Sequence, residues 1–351
     1  MQGVVYLRSA SPAIRAAVHN FYAVAKSIRF SIEEVSTAAL FEKWEAEKAK
    51  PGAKPYEVMV ATDATSIAEV TYALFSKKMP VLVDHSLHET LASQLGQSVK
   101  KNPLLERIPP GEDESAVKSF FHFPETSGRI FVVEGGDGAG KQTQVKLLCD
   151  RLTKEGYASE TLDYPHDAAR YGALIRDLLS GRLGNIKQVN PLIFASLYGL
   201  NRHDTLPELK YWMLRGRNVI LDRYMTANFG QQASKYSTDE ERIAAIDTLK
   251  KFETEWLQLP EAHRVIYLNL PAEYALKAMK TDTTRKELDM HELAGIEYKN
   301  KVRDSFVWCC NQFPEWQEVK CVSEETGDRI SREELHEKIF SALASEFVRE
   351  V

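Results

Sequence analysis

The sequence predicts an α/β protein in two units. The larger is a doubly wound parallel sheet with helices on both faces, and the smaller, N-terminal one is a second α/β fold. Three observations predict this. Short apolar runs of strand length alternate with helical runs along the 351 residues. At 130–133 an apolar run passes through a glycine-rich turn straight into a helical pattern. A stretch of turn formers and clustered charge separates the two halves. At this length each half can bury a core of its own.

The first unit, 1–103, opens with a strand at 3–8 and a helix with Ser11 as N-cap and Pro12 at its first position, running to about Lys26. A strand at 30–35 precedes a helix through about Glu47, and Pro51-Gly52 and Pro55 break the chain. A strand at 57–61, a helix at 66–77, a strand at 80–83 and a helix near 88–95 complete the unit. Asp63, Asp84, His85 and His88 fall at strand ends, where sites in α/β sheets lie, but they read most simply as solvated loop polars. The function of this unit is not legible. The segment 104–128 holds Pro109-Pro110-Gly111, Glu112-Asp113-Glu114 and Ser127-Gly128, and reads as a linker.

The second unit, 129–351, should contain strands at 129–134, 159–163, 218–222, 265–270 and 318–322 with helices between them. Its first strand runs into Gly135-Gly136-Asp137-Gly138-Ala139-Gly140-Lys141-Gln142-Thr143, and a helical pattern of Val145, Leu148 and Leu152 follows. Glycines at this spacing let backbone N–H groups turn inward. The helix N-terminus adds positive partial charge, and the lysine reaches the outer phosphates of a nucleotide, as in a P-loop NTPase-type fold. Gln142 stands where a Ser or Thr hydroxyl usually meets Mg2+, with Thr143 one place later. At the end of the third strand, Asp222 suits an acceptor that orients Mg2+ and Arg223 suits a phosphate fork. Asp-Arg-Tyr alone would equally make a strand-end ion pair, but the nearby phosphate loop favours the functional role.

The run from Glu134 to Lys141, then Tyr164-Pro165, Tyr198-Gly199-Leu200-Asn201-Arg202 and Asp222-Arg223-Tyr224, resembles the ordered motif set of thymidylate (dTMP) kinases over about 129–345. The resemblance implies a transferase that uses ATP, with Mg2+, to phosphorylate a pyrimidine deoxynucleoside monophosphate, and it implies a homodimer. Residues 135–143 would bind ATP, and Asp137 would help position the acceptor and its metal beside Asp222. Lys141, Arg223 and Asp137 would serve the transfer. Tyr164 and Pro165 would line the acceptor site. Tyr198 and Arg202, four apart on one helix face, would stack on and hydrogen-bond the base, with Asn228 as a second reader of its edge. Gly138 occupies the place of a loop arginine, so a lid cation must replace it, with Arg285 first and Lys286 second. Asp289 and Glu292 resemble lid-flanking acids. Ala227 and Gln231 depart from the Ser and aromatic residue common in the family near the sugar. Two alternatives stay open: a UMP/CMP-type or relaxed pyrimidine nucleotide kinase, and a catalytically weak nucleotide-sensing module, whose sequence support is Gln142.

A net charge of −5 argues against a nucleic-acid surface as the main business. Among the four cysteines none shows paired metal-ligand spacing, and Cys309-Cys310 is a poor disulfide candidate, so free thiols in a reducing compartment are expected. No run reaches the 18 or more apolar residues of a membrane span. The N-terminal strand carries no signal-peptide flank, so the expected location is the cytoplasm.

Overall fold

The structure is a computed structural model, and it describes residues 2–7, 29–34, 56–61, 67–76, 78–100, 102–108, 127–184, 191–274 and 295–347. The chain divides into two compact units, Met1–Glu125 and Thr126–Val351.

The first unit is a five-stranded, wholly parallel sheet of β1 (Gln2–Leu7), β2 (Arg29–Glu34), β3 (Tyr56–Ala61), β4 (Val81–Val83) and β5 (Leu105–Arg107), in the order β2-β1-β3-β4-β5. The helix expected at 66–77 is α1 (Ile67–Thr71) continued by a π-helical turn at Tyr72–Ser76. α2 (His85–Leu95) starts earlier than the pattern suggested because Asp84 caps it, its carboxylate accepting from the Leu87 N–H at 2.8 Å. A single turn, α3 (Gln97–Lys100), follows. The helices expected near 12–26 and up to 47 lie outside the described residues, as does Asp63.

β5 corrects the linker boundary. The three residues lie inside the segment read as a linker, yet they pair in register with β4, anchored by the fully buried Leu104. So short a strand, followed directly by Ile108 and two prolines, has no periodicity to announce it. The remainder of the expected linker, 109–126, lies outside the described residues.

The second unit holds β6 (Ile130–Gly135), β7 (Ser159–Asp163), β8 (Asn218–Asp222), β9 (Arg264–Asn269) and β10 (Trp316–Lys320), all parallel, in the order β10-β9-β6-β8-β7. β6 is central and buried along its whole length, which is why it reads as an unbroken apolar run rather than an alternation. The five expected strands are present within two residues. The last begins at Trp316, and Val322 leaves the ladder for an antiparallel bridge with Arg329. The helices are α4 (Lys141–Lys154), α5 (Gly172–Leu179), α6 (Pro191–His203), α7 (Leu206–Leu214), α8 (Met225–Ala233), α9 (Asp239–Lys251), α10 (Ile296–Gln312) and α11 (Arg332–Leu343).

Both faces of this sheet are covered. Phe131 and Val133 of β6 and Ile266 and Leu268 of β9 form one core cluster with Val145, Leu148 and Leu152 of α4 and Leu335 and Ile339 of α11. Tyr267, between Ile266 and Leu268, must face the other way, and its ring stacks on Phe306 of α10 at 4.9 Å. The strand order reverses beside β6, so the crevice at the carboxyl ends of β6 and β8 is the expected ligand position.

Candidate active site

The β6–α4 connection is built as a phosphate cradle. Gly140 sits at φ +94° as the N-cap of α4, a left-handed conformation that L side chains rarely adopt. No side chain caps the helix and its first turn carries no acid, so the initial N–H groups keep their donor capacity for a ligand. The Lys141 ammonium donates to the Gly136 carbonyl at 3.0 Å. Burial, reinforced by the nearby Arg223 charge, pushes its pKa down to about 8 against the pull of Asp222, Asp137 and Glu134. A buried ammonium whose charge is costly is one that an incoming polyphosphate stabilises.

The end of β8 brings its residues to the same place. Asp222 pairs in register with Val133 of β6 and with Asp163 of β7, which sets its carboxyl beside the loop. Burial raises its pKa, with Lys141 and Arg223 opposing. Arg223 takes φ +64°, so the chain turns sharply and returns its guanidinium to the loop. There it donates to Asp137 at 3.0 Å and lies 3.9 Å from Glu134. Burial works against its charge, but Asp137, Glu134 and Asp222 outweigh it and raise the pKa.

Glu134 organises this turn. Its carboxyl is wholly buried, and one oxygen accepts from the Tyr224 N–H at 3.1 Å and the Thr226 hydroxyl at 2.7 Å. Burial raises its pKa, partly offset by Arg223. The sequence contains Glu134 in a motif but does not reveal this role, because both partners lie some 90 residues away.

One cavity of about 840 Å³ joins these groups to the remaining expected residues. Of the loop, Asp137, Gly138, Gly140, Lys141, Gln142 and Thr143 line it, while Gly135, Gly136 and Ala139 stand behind. Tyr164, Pro165, Tyr198, Arg202, Asp222, Arg223 and Asn228 all line it too. The Tyr164–Pro165 peptide is cis. The Tyr164 phenol is held by the Thr205 hydroxyl at 2.6 Å, and burial raises its pKa. Tyr198 meets Phe194 edge-on, with ring centroids 5.1 Å apart. Phe194 lines the cavity as well, and its i, i+4 spacing to Tyr198 is the sequence signal for it. Arg176, Arg182, Lys235 and Tyr298 are further lining residues that no motif singled out.

Arg202 lines the cavity and is at the same time held from within the protein. It forms a buried ion pair with Glu253 of the π-helical turn Phe252–Trp256. Its Nε donates at 2.7 Å and its Nη2 at 2.5 Å. A buried guanidinium without such a carboxylate would be costly. Asn228 shares that carboxylate, donating to it at 3.0 Å. Arg285, Lys286, Asp289 and Glu292 lie outside the described residues.

Mg2+ in such a site needs one or two carboxylates, with phosphates and water supplying the rest. Asp137 is engaged by Arg223, whereas the Asp222 carboxylate hydrogen-bonds to no described residue. Among the described residues no cluster of three or more metal-type side chains occurs, and the four cysteines are free. No helix among them is long and apolar enough to cross a membrane.

The profile of the thymidylate kinase family matches residues 133–324. The thymidylate kinase of Caldanaerobacter subterraneus subsp. tengcongensis is 30% identical over 190 residues, covering 54% of this chain and 84% of its own. A probable thymidylate kinase of Thermococcus onnurineus is 30% identical over 229 residues, covering 63% and 99% respectively. A solved thymidylate kinase from Candida albicans aligns with a TM-score of 0.46 at 18% identity, over 63% of this chain and 93% of that one.

Proposed function

The chain belongs to the thymidylate kinase family of phosphotransferases, and from that premise we propose how its second unit converts dTMP and ATP to dTDP and ADP. The observation that carries the proposal is the single cavity in which an uncapped helix N-terminus, Lys141 and Arg223 meet the phenol, guanidinium and amide side chains of Tyr198, Arg202 and Asn228. That combination suits two phosphate chains and one base, and it offers no side-chain nucleophile.

ATP lies with its outer phosphates over residues 135–143, held by the α4 N–H groups and by Lys141. The acceptor monophosphate is received by Arg223, whose guanidinium is aimed by Asp137 and Glu134. Its base stacks beside Tyr198, within reach of Arg202 and Asn228. An acceptor phosphate oxygen forms a bond to the γ-phosphorus as the bond to the β–γ bridging oxygen breaks. Positioning and charge neutralisation do the work, with no covalent intermediate on the protein. Asp222 would hold Mg2+, directly or through water, with Asp137 nearby. Bound there, the ion would supply charge neutralisation to the transferring phosphates. With Gly138 in the loop, Arg285 is assigned as the lid cation and Lys286 as its alternate. A homodimer and a cytoplasmic location rest on the family alone.

A steady-state ADP-release assay with dTMP, dUMP, CMP and dCMP tests the assignment, with dTMP expected to have the highest kcat/KM and Lys141→Ala expected to abolish turnover. Turnover of dTMP no better than that of CMP would refute it. ATP binding without turnover of any acceptor would point to a nucleotide sensor.

A further inference from the structure

We propose that Glu253 is a positioning residue that sets the hydrogen-bond polarity of the base end of the cavity, so that it accepts a pyrimidine carrying a C4 carbonyl and an N3 proton and rejects the 4-amino counterpart. The proposal rests on the placement of the acceptor base beside Arg202 and Asn228 given above.

Glu253 is fully buried, and its carboxylate ties together the two polar side chains of that region. It is delivered by the π-helical turn that ends α9, a geometry that recurs at functional positions. That turn packs closely on α6. At Gly199 an added Cβ would lie 2.9 Å from the Phe252 ring and 3.0 Å from Leu257. The carboxylate is therefore held at a set distance from the helix that carries Arg202.

The orientation of the Asn228 amide follows. Its Nδ2 lies 3.0 Å from Glu253 Oε1 and 3.4 Å from the Ala195 carbonyl oxygen, and both neighbours are acceptors. Turned by half a rotation, the amide would set its oxygen against two oxygens and leave its N–H groups without those partners. Glu253 thus holds Nδ2 inward, and Oδ1, which accepts from no described residue, is the amide atom left for a ligand in the cavity that Asn228 lines.

Arg202 is constrained by the same carboxylate. Nε and Nη2 donate to Glu253, and Nη1 donates to the Tyr224 carbonyl at 3.3 Å. Of the five guanidinium N–H groups, one on each terminal nitrogen is left over, and all of them are donors. The base end therefore offers a donor at Arg202 and an acceptor at Asn228. Thymine and uracil match both, through O4 and N3–H. Cytosine mismatches both, since its amino group meets the donor and its bare N3 meets the acceptor. Arg202 cannot reverse its polarity. Asn228 could by rotating its amide, and Glu253 is what prevents it.

The test compares dTMP with 5-methyl-dCMP, which keeps the methyl group and the size and swaps only the hydrogen-bond pattern. Binding is measured by calorimetry and kcat/KM by ADP release. In the unmodified full chain dTMP should be preferred by a hundredfold or more, as expected where buried polar groups would be left mispaired. Glu253→Gln can present its own N–H2 to Asn228 and release the amide. The preference should then fall at least tenfold, while the KM for ATP stays within twofold. Glu253→Asp, which keeps the carboxylate, should restore most of the preference. Comparable binding of the two nucleotides by the unmodified chain, or an unchanged preference in a folded Glu253→Gln variant, overturns the proposal. Should Glu253→Gln not fold, Asn228→Ala carries the test. It removes the acceptor that Glu253 aims, and an unchanged preference there is equally fatal. Failure to bind either nucleotide would instead remove the acceptor-site reading beneath it.

Discussion

Replacing Lys141 with Met should make the nucleotide-free protein more stable and at the same time unable to hold ATP. Lys141 is 9% exposed, and burial with the adjacent Arg223 charge brings its pKa from 10.5 to about 8. That displacement means the charged side chain costs the folded chain about 3 kcal/mol relative to the unfolded one. Met is neutral and of similar length, but it loses the hydrogen bond to the Gly136 carbonyl, which contributes about 1 kcal/mol. The net gain at pH 7 is about 2 kcal/mol, or a rise in Tm of about 4–8 °C for a unit of this size. Because the folded pKa lies below the unfolded one, the penalty on the native lysine is fully present below about pH 8 and is relieved as pH climbs from there toward 10.5. The gap between the two proteins should therefore close over that window. ATP at a hundred times its Kd adds about 2.7 kcal/mol to the native protein and nothing to the variant, so the order of melting reverses. Differential scanning calorimetry at pH 7 and pH 9.5, with and without ATP, reads all of this. A Met variant that melts several degrees below the native chain at pH 7 without nucleotide would refute the reasoning, as would a gap indifferent to pH.

Three further outcomes follow from the same geometry. Gly230→Ala would set a Cβ 2.5 Å from the Phe306 ring, which is stacked on Tyr267 and has nowhere to go; the denaturant midpoint should fall by the equivalent of about 2–3 kcal/mol with an unchanged slope. Asp222→Asn should raise the Mg2+ concentration for half-maximal turnover by about tenfold or more, and an unaltered Mg2+ requirement would remove Asp222 from the metal's surroundings. Glu134→Gln should cost kcat about tenfold, because Arg223 loses one of its two aiming carboxylates. The pKa of Glu134 is raised in the folded state, so its favourable contribution is present at low pH and lost as pH rises through that raised value; the melting temperature of the variant should gain on the native protein over that range.

The parts of this protein that its sequence reveals are those whose physics is local. The phosphate loop is such a part, because its strand, its glycines and the start of its helix are contiguous and each needs only its neighbours to be understood. The three inner strands of the second unit are another, because a parallel strand covered on both faces carries an apolar run, which the edge strands β7 and β10 lack. Asp222 and Arg223 were legible as a strand end. The left-handed Arg223 backbone that points the guanidinium back to the loop was not, since nothing in Asp-Arg-Tyr requires φ +64°. β5 is not legible, because three residues carry no period.

Arg202 shows the limit most clearly, and also how it could be passed. Its position on α6, four residues from Tyr198, suggests a base reader but says nothing of the carboxylate that holds it. A guanidinium that is nearly inaccessible to solvent must have a carboxylate, and the partner, Glu253, lies 51 residues further on. Spacing motifs cannot bridge that distance, but helix periodicity can. The buried stripe of α9 runs through Ile246 and Leu249, and the next position at helical spacing is residue 253. A glutamate there, on a face that should be apolar, is a charge placed where only a buried partner would tolerate it. Among the arginines that line the cavity, Arg202 is the most buried. Core positions occupied by acids therefore deserve matching against site arginines before either is assigned, because the pair decides which N–H groups remain to meet the substrate.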